Sequence, residues 1–175
     1  TDKRESDEKI AYLARYDTLT GLPNRLMLTE ALGEAMRYAD QWRTRCAFMM
    51  IDLDRFKAVN DSLGHQVGDV LLAQVSSRLR GLMSDNELCG RLCGDEFAIV
   101  VCGVSEAVAK RIGEKLIAAA DDFRFLHEGA TFTVGLSVGV VALDDTRREV
   151  SDVLAHADMA CYAAKNSGRG RIYQY

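Results

Sequence analysis

The sequence predicts an α/β fold, a central sheet with helices packed on it. Three observations lead there. CAFMMIDL (46–53) is one continuous apolar run ending in acid, the pattern of a central strand covered on both faces. FTVGLSVGVV (132–141) alternates Phe132, Val134, Leu136, Val138 and Val140, which is the period of a strand. Around these strands apolar residues return at helical spacing, as at Val67, Val70, Leu71, Val75, Leu79 and Leu82.

The other elements follow in chain order. Residues 1–15 carry charge outside and Ile10, Leu13 and Ala14 at helical spacing, so they predict the end of a helix entering from an upstream segment of a longer protein. Gly21 and Pro23 break the chain in TGLPN, and Asn24 is placed to cap a helix that presents Leu28, Leu32, Ala35 and Met36 and runs to about Ala39. Trp42 is expected to pack over that helix end. ELCGRLCG and EFAIVVC, within 87–102, read as two strands joined by a tight turn at Cys93, Gly94, Asp95 and Glu96, where glycine supplies unusual backbone angles. A helix over about 105–120, a small hairpin around His127 to Gly129, a last helix over about 150–165 stopping near Gly168, and a short closing strand in RIYQY complete the order.

Composition bounds the function. With 175 residues, 48% hydrophobic and a single proline, the chain fits one globular domain with a substantial core. A formal charge of −4 and a pI near 5.4 argue against non-specific nucleic-acid binding and against attachment to an anionic membrane, so a phosphate ligand must be met by a few local cations or by metal. No apolar run approaches the ~20 residues of a membrane span, and the charged start TDKRESDEK is not a signal peptide. A cytoplasmic domain without membrane insertion is expected, alone or within a larger membrane-anchored protein. The five cysteines, Cys46, Cys89, Cys93, Cys102 and Cys161, fall mostly in apolar runs with no Cys-x-x-Cys pair and are expected as reduced core thiols.

Two segments can carry chemistry. Asp52 ends one predicted strand and Asp95 with Glu96 sits between two others, so neighbouring strands would gather three carboxylates at one sheet edge. Such a group either repels itself into raised pKa values or holds a hard divalent cation beside a phosphate substrate; alternatively the acids mark solvated strand ends. DLDRFKAVNDSLGHQVGD (52–69) packs Asp52, Asp54, Lys57, Asn60, Asp61, His65 and Asp69 around short turns. Its backbone N–H groups and Lys57 could hold phosphate oxygens, while Asn60 and Asp69 match the donor and acceptor pattern of guanine. The other reading is a polar helix–loop–helix with Asn60 and Asp61 as caps.

YDTLTGLPNR (16–25), IDLDRFKAVND (51–61), LGHQVGD (63–69), RLCGDEFAIV (91–100), SVGVV (137–141) and ADMACYAAKNSGRGRI (157–172) together resemble the GGDEF domains, nucleotidyltransferases that make cyclic di-GMP from two GTP molecules. The resemblance implies a family domain over 17–175 behind an N-terminal signalling helix over 1–16. It implies a mostly antiparallel five-stranded sheet flanked by helices, of the kind shared with nucleotidyl cyclases and polymerase palms. It also implies magnesium, or manganese in its place, held by Asp52, the carbonyl of Leu53, Asp95 and Glu96, with Asp95 and Glu96 the catalytic pair. Asn60 and Asp69 match the guanine-reading positions and His65 one that lines the nucleotide. Gly94, the Arg55–Phe56 backbone, Lys57, Lys165 and Arg169 match phosphate and substrate contacts. Since each domain would hold one GTP, catalysis implies an antiparallel homodimer, set by an upstream sensor domain.

The match departs at two places. The first signature glycine is Cys93, and if that position needs positive φ the substitution strains the backbone by roughly 1 kcal/mol or more. Either the loop tolerates the side chain and catalysis survives, or the chain is a GTP-binding regulatory domain controlling an adjacent phosphodiesterase of the EAL type. The product-inhibition motif Arg-x-x-Asp is replaced by SDNE (84–87), so feedback binding of cyclic di-GMP is not expected there.

Overall fold

A computed structural model describes residues 2–143 and 149–175. The helices are α1 (Asp2–Arg15), α2 (Arg25–Trp42), α3 (Phe56–Leu63), α4 (His65–Leu82), α5 (Glu106–Asp122) and α6 (Val150–Asn166). The strands are β1 (Cys46–Asp54), β2 (Glu87–Cys93), β3 (Glu96–Cys102), β4 (Arg124–His127), β5 (Ala130–Thr133), β6 (Gly135–Leu143) and β7 (Ile172–Gln174). Five strands form one sheet in the order β2-β3-β1-β6-β7, antiparallel except where β7 joins β6, and β4 and β5 form a separate hairpin.

The pleat sorts the core into two layers. Along β1, Ala47, Met49, Ile51 and Leu53 face a cluster that includes Leu71, Leu72 and Val75 of α4 and Ala109 and Leu116 of α5. Cys46, Phe48 and Met50 face the other cluster, with Leu28, Leu32 and Ala35 of α2 and Val153, Ala157 and Cys161 of α6. Burial on both faces explains why β1 reads as an unbroken apolar run. Asp52 has the parity of Phe48 and Met50, so it ends the strand on the α2/α6 side.

Local signals position the helices. Asn24 accepts from the Met27 amide at 3.1 Å to cap α2, and Ser105 does the same for α5 through Val108 at 3.3 Å. α6 opens on a capping box between Glu149 and Asp152. α6 also lies unusually close to the sheet, because β6 presents Gly139 to it: a Cβ there would meet the Cys161 nitrogen at 2.4 Å and the Ala157 oxygen at 2.7 Å.

Two expectations are corrected, and the segment after β1 follows its helix–loop–helix reading, with Asn60 and Asp61 inside α3 and not at its caps. The alternating run 132–141 is not one strand, since Phe132 belongs to β5 and tilts against Phe125 of β4 at 6.3 Å, leaving β6 to begin at Gly135. α2 runs on to Trp42, which stays 63% exposed and does not pack over the helix end. The charged segment after β1 folds as two helices, α3 and α4, separated by Gly64.

Gly139→Ala is expected to lower stability by about 2 kcal/mol in urea unfolding, because backbone must yield to the new methyl group. Gly81→Ala, in the last turn of α4 with nothing within 4 Å of its Cβ position, is expected to raise it by about 0.5 kcal/mol. Equal effects from the two would contradict the close approach of α6.

Candidate functional site

The acids of two separate segments meet because β1 pairs with β3 in a register that sets Asp52 opposite Glu96. The Leu53 amide donates to the Asp95 carbonyl at 3.2 Å. That bond lies outside the Asp52/Glu96 pair, which makes it a non-hydrogen-bonded pair, the kind whose side chains stand closer. Asp95 lies in the turn before β3, near enough for its carboxylate to raise the Asp52 carboxyl. Register and turn therefore set Asp52, Asp95 and Glu96 at one sheet edge.

Their compensation comes from α6. Lys165 Nζ lies 2.6 Å from Asp52 Oδ2, with the two side chains 30% and 13% exposed. Burial pushes the Asp52 carboxyl up to about 6; the Lys165 ammonium opposes that rise and the Asp95 carboxylate adds to it. Burial pulls the Lys165 ammonium down, but the hydrogen bond and charge of Asp52 outweigh it and the lysine ends above its ordinary value. Lys165 is expected on phosphate from the resemblance; the structure sets its ammonium on the Asp52 carboxylate.

An acid passed over in the sequence locks this arrangement. Asp54 is 6% exposed, accepts from Ser137 Oγ at 2.7 Å and from the Gly170 amide at 3.0 Å, and so ties β1 and β6 to the loop after α6. Arg169 sits beside it with φ 59, and Arg55, at the start of α3, has φ 66. Such conformations in non-glycine residues collect at functional sites. α3 has no side-chain cap, so the amides of its first turn remain available beside exposed Arg55 and Lys57. Phe56 turns its ring into the core, 9% exposed, and contributes only its backbone here. Asp54 was detectable as a second acid of the same parity as Asp52 in an otherwise apolar strand.

Asn60 of α3 packs against Gly68 of α4, the residue before Asp69. A Cβ on Gly68 would stand 1.8 Å from Asn60 Oδ1, which is itself buried without a hydrogen-bond partner. His65 lies one turn before Asp69 on α4, exposed. The Asn60 amide, which accepts through Oδ1 and donates through Nδ2, and the Asp69 carboxylate, which accepts, offer both kinds of contact to a heterocyclic edge.

The signature turn shows where the cysteine sits. Positive φ falls on Gly94, at 49°, and not on Cys93, which lies in β2 opposite Glu96 across a register shift. The expected strain from replacing the first glycine is therefore absent. Cys93 Sγ donates to Glu96 Oε2 at 3.3 Å, and burial followed by Glu96 pushes its thiol pKa up. Arg91 braces the turn from below, donating from Nε to the Gly94 carbonyl at 2.8 Å and from Nη1 to both oxygens of Asp17 at 3.1 and 3.2 Å. Burial raises the Asp17 carboxyl, but hydrogen bonds from Thr20 and Arg91 bring it below the ordinary value. Asp17 directly follows the end of α1, so the helix entry and the signature turn share one ion pair.

Among the described residues no three acidic, histidine or cysteine side chains are close enough to form a metal cluster by themselves. The donors nonetheless suit a hard cation completed by ligand oxygens, because Asp52 Oδ1 is buried with no hydrogen-bond partner.

Carboxyl NMR titration is expected to give Asp52 a midpoint near 6, and Lys165→Met is expected to move it higher. Because the folded value lies above 3.8, this group's contribution to stability is fully present below 3.8 and is lost as pH rises through about 6. A midpoint near the ordinary value would mean that burial does not dominate.

Comparison with known proteins agrees with this geometry. The profile described as "Diguanylate cyclase, GGDEF domain" matches residues 14–171. The probable diguanylate cyclase DgcE of Escherichia coli is 38% identical over 175 residues, covering 100% of this chain and 16% of that protein. The cyclic di-GMP phosphodiesterase PdeB of Shewanella oneidensis is 36% identical over 163 residues, 93% of this chain and 18% of that one, so the chain spans under a fifth of these two relatives. The solved GGDEF domain of TpbB from Pseudomonas aeruginosa superposes with a TM-score of 0.85 at 37% identity, over 91% of this chain and 93% of that one. A profile that spans both the Asp52 strand and the acidic turn, on the same fold, settles the family: the chain belongs to the GGDEF domain family, with cysteine at the first signature position.

Proposed function

We propose that this domain is a diguanylate cyclase, condensing two GTP molecules to cyclic di-GMP and two pyrophosphates between two copies arranged antiparallel. The observation that carries the reading is Asp52, a buried carboxylate with one oxygen unpartnered, set against Asp95 and Glu96 and provisionally neutralised by Lys165. Asp52, Asp95, Glu96 and the Leu53 carbonyl would hold magnesium or manganese. Such an ion neutralises the triphosphate and acidifies the attacking ribose 3′-hydroxyl.

The chain's own residues do the rest. Asn60 and Asp69 read the guanine edge, with His65 along the nucleotide. Lys165 would turn its ammonium from the Asp52 carboxylate to phosphate oxygens. Arg169, Lys57, Gly94 and the free amides of Arg55 and Phe56 hold phosphates and stabilise charge on the departing pyrophosphate. One of the metal-binding carboxylates, Asp95 or Glu96, would help take the hydroxyl proton. Because each domain presents one such site, the second nucleotide comes from the partner copy, and α1, which buries none of its residues, is a handle by which an upstream sensor sets the pairing.

A second reading rests on Cys93, whose thiol occupies one Glu96 oxygen, and on the existence of a relative named as a phosphodiesterase. In it the domain binds GTP, turns over poorly and controls an adjacent EAL-type domain.

Incubation of the dimerised domain with GTP and magnesium is expected to yield cyclic di-GMP by chromatography, and Asp95→Ala is expected to abolish product while retaining GTP binding. Gly68→Ala, which displaces the Asn60 amide, is expected to weaken GTP binding at least about tenfold, the cost of one lost polar contact to a buried base edge. Cys93→Gly should change the rate by less than about tenfold, the worth of one weak hydrogen bond. Large activation by Cys93→Gly would favour the second reading, and absence of GTP binding would exclude both.

A further inference from the structure

We propose that Cys46 and Cys102 form a reversible cross-strand disulfide when a low-molecular-weight disulfide is present, stapling β1 to β3 at the end of the ladder opposite the acids. Strand register carries the inference. Cys46 is the direct partner of Cys102, as Asp52 is of Glu96. The Gly103 amide donates to the Arg45 carbonyl at 2.9 Å, a bond lying outside the Cys46/Cys102 pair. Like the Asp52/Glu96 pair six residues away, this is therefore a non-hydrogen-bonded pair. Cα atoms in such pairs stand about 4.5 Å apart with side chains drawn together, within the range of about 4.4–6.8 Å that disulfides span.

Side-chain direction agrees. Cys46 lies in the core layer beneath α2 and α6, and Cys102 packs against that same layer. The Cys46 sulfur is near enough to help raise the Cys102 thiol. No other ladder position offers this, since Cys89 faces Ile99 and Cys93 faces Glu96. All five thiols are free in the structure.

The two sulfurs differ in access, which orders the chemistry. Cys46 is 2% exposed, whereas Cys102 is half-buried and lines a surface groove of about 390 Å³ with Tyr38, Asn86 and Leu88. The Cys102 thiolate attacks one sulfur of the small disulfide, forming a mixed disulfide and expelling one thiolate. Cys46 then attacks the Cys102 sulfur and expels the second. The two thiol protons pass to the two small thiolates, so two protein thiols are oxidised as one small disulfide is reduced to two thiols. Burial, with the neighbouring Cys46 sulfur, pushes the Cys102 thiol up to about 12. Thiolate is thus scarce at neutral pH, and the reaction responds to sustained oxidation, its rate rising about tenfold per pH unit from about 7 to 9.

The test uses the Cys93→Ser chain, which removes the exposed turn thiol, with the unmutated chain in parallel. Each is incubated with oxidised glutathione at about pH 8.5, where thiolate attack is faster, then digested without reduction and mapped by mass spectrometry. The expected result is a linked peptide pair containing Cys46 and Cys102, lighter by two hydrogens than its separate halves and parted by dithiothreitol. Full alkylation of both thiols after incubation would overturn the proposal. So would glutathione held at Cys102 while Cys46 stays free. Cys102→Ala should leave Cys46 reduced under the same treatment; if Cys46 then pairs with Cys89 or Cys161, the register argument fails.

Discussion

The ion pair between Asp52 and Lys165 is the constraint on which the site's architecture turns. A carboxylate taken out of water at the end of a buried strand is costly, and the second carboxylate beside it makes the problem worse. α6 brings an ammonium to 2.6 Å, yet burial still wins, and the carboxyl sits near 6. The acid is thus only partly compensated in the free domain, and its unpartnered oxygen leaves room for a stronger cation. Under the proposed function, a bound metal ion would relieve that burial penalty.

Several other features exist to keep that pair in place. Gly139 lets α6 lie close against β6, which sets the reach of Lys165. Asp54, buried and doubly hydrogen-bonded to Ser137 and Gly170, ties the loop after α6 back to β1 and so positions Arg169. On the other side, Arg91 joins the Gly94 carbonyl to Asp17 at the foot of α1. The signature turn is therefore tied to the segment that follows the entering helix, whose apolar side chains Ile10, Tyr12 and Leu13 are exposed. Register then gives the β1/β3 ladder two non-hydrogen-bonded ends of different chemistry, acids at one and thiols at the other.

Cys93 illustrates how a motif departure is weighed by geometry. A glycine in a signature invites the assumption that only glycine fits. Here the left-handed conformation belongs to Gly94, and the preceding position is ordinary strand backbone that a cysteine adopts without strain. What the substitution adds is a thiol donor to Glu96, a perturbation of electrostatics and not of the chain path.

Most elements were legible in the residues themselves, since β1, the two strands around the acidic turn, the capped helices and the closing strand announce themselves by period, caps and breakers. The exceptions are instructive. Phe132 keeps the alternation of β6 but is claimed by the hairpin through Phe125, a contact between segments that no local period reports. Lys165 could be matched to phosphate by resemblance, but its partner without nucleotide is Asp52, more than a hundred positions away, and the structural role of Asp54 went unread for the same reason. By itself the sequence determined the order and type of elements, the family, and the residue chemistry available for the site, because these follow from short-range pattern and composition. Only the tertiary structure decided which carboxylate is compensated, which acid is structural, where positive φ falls and which thiols face each other. Those are properties of strand register and helix approach, set by packing between residues distant in the chain.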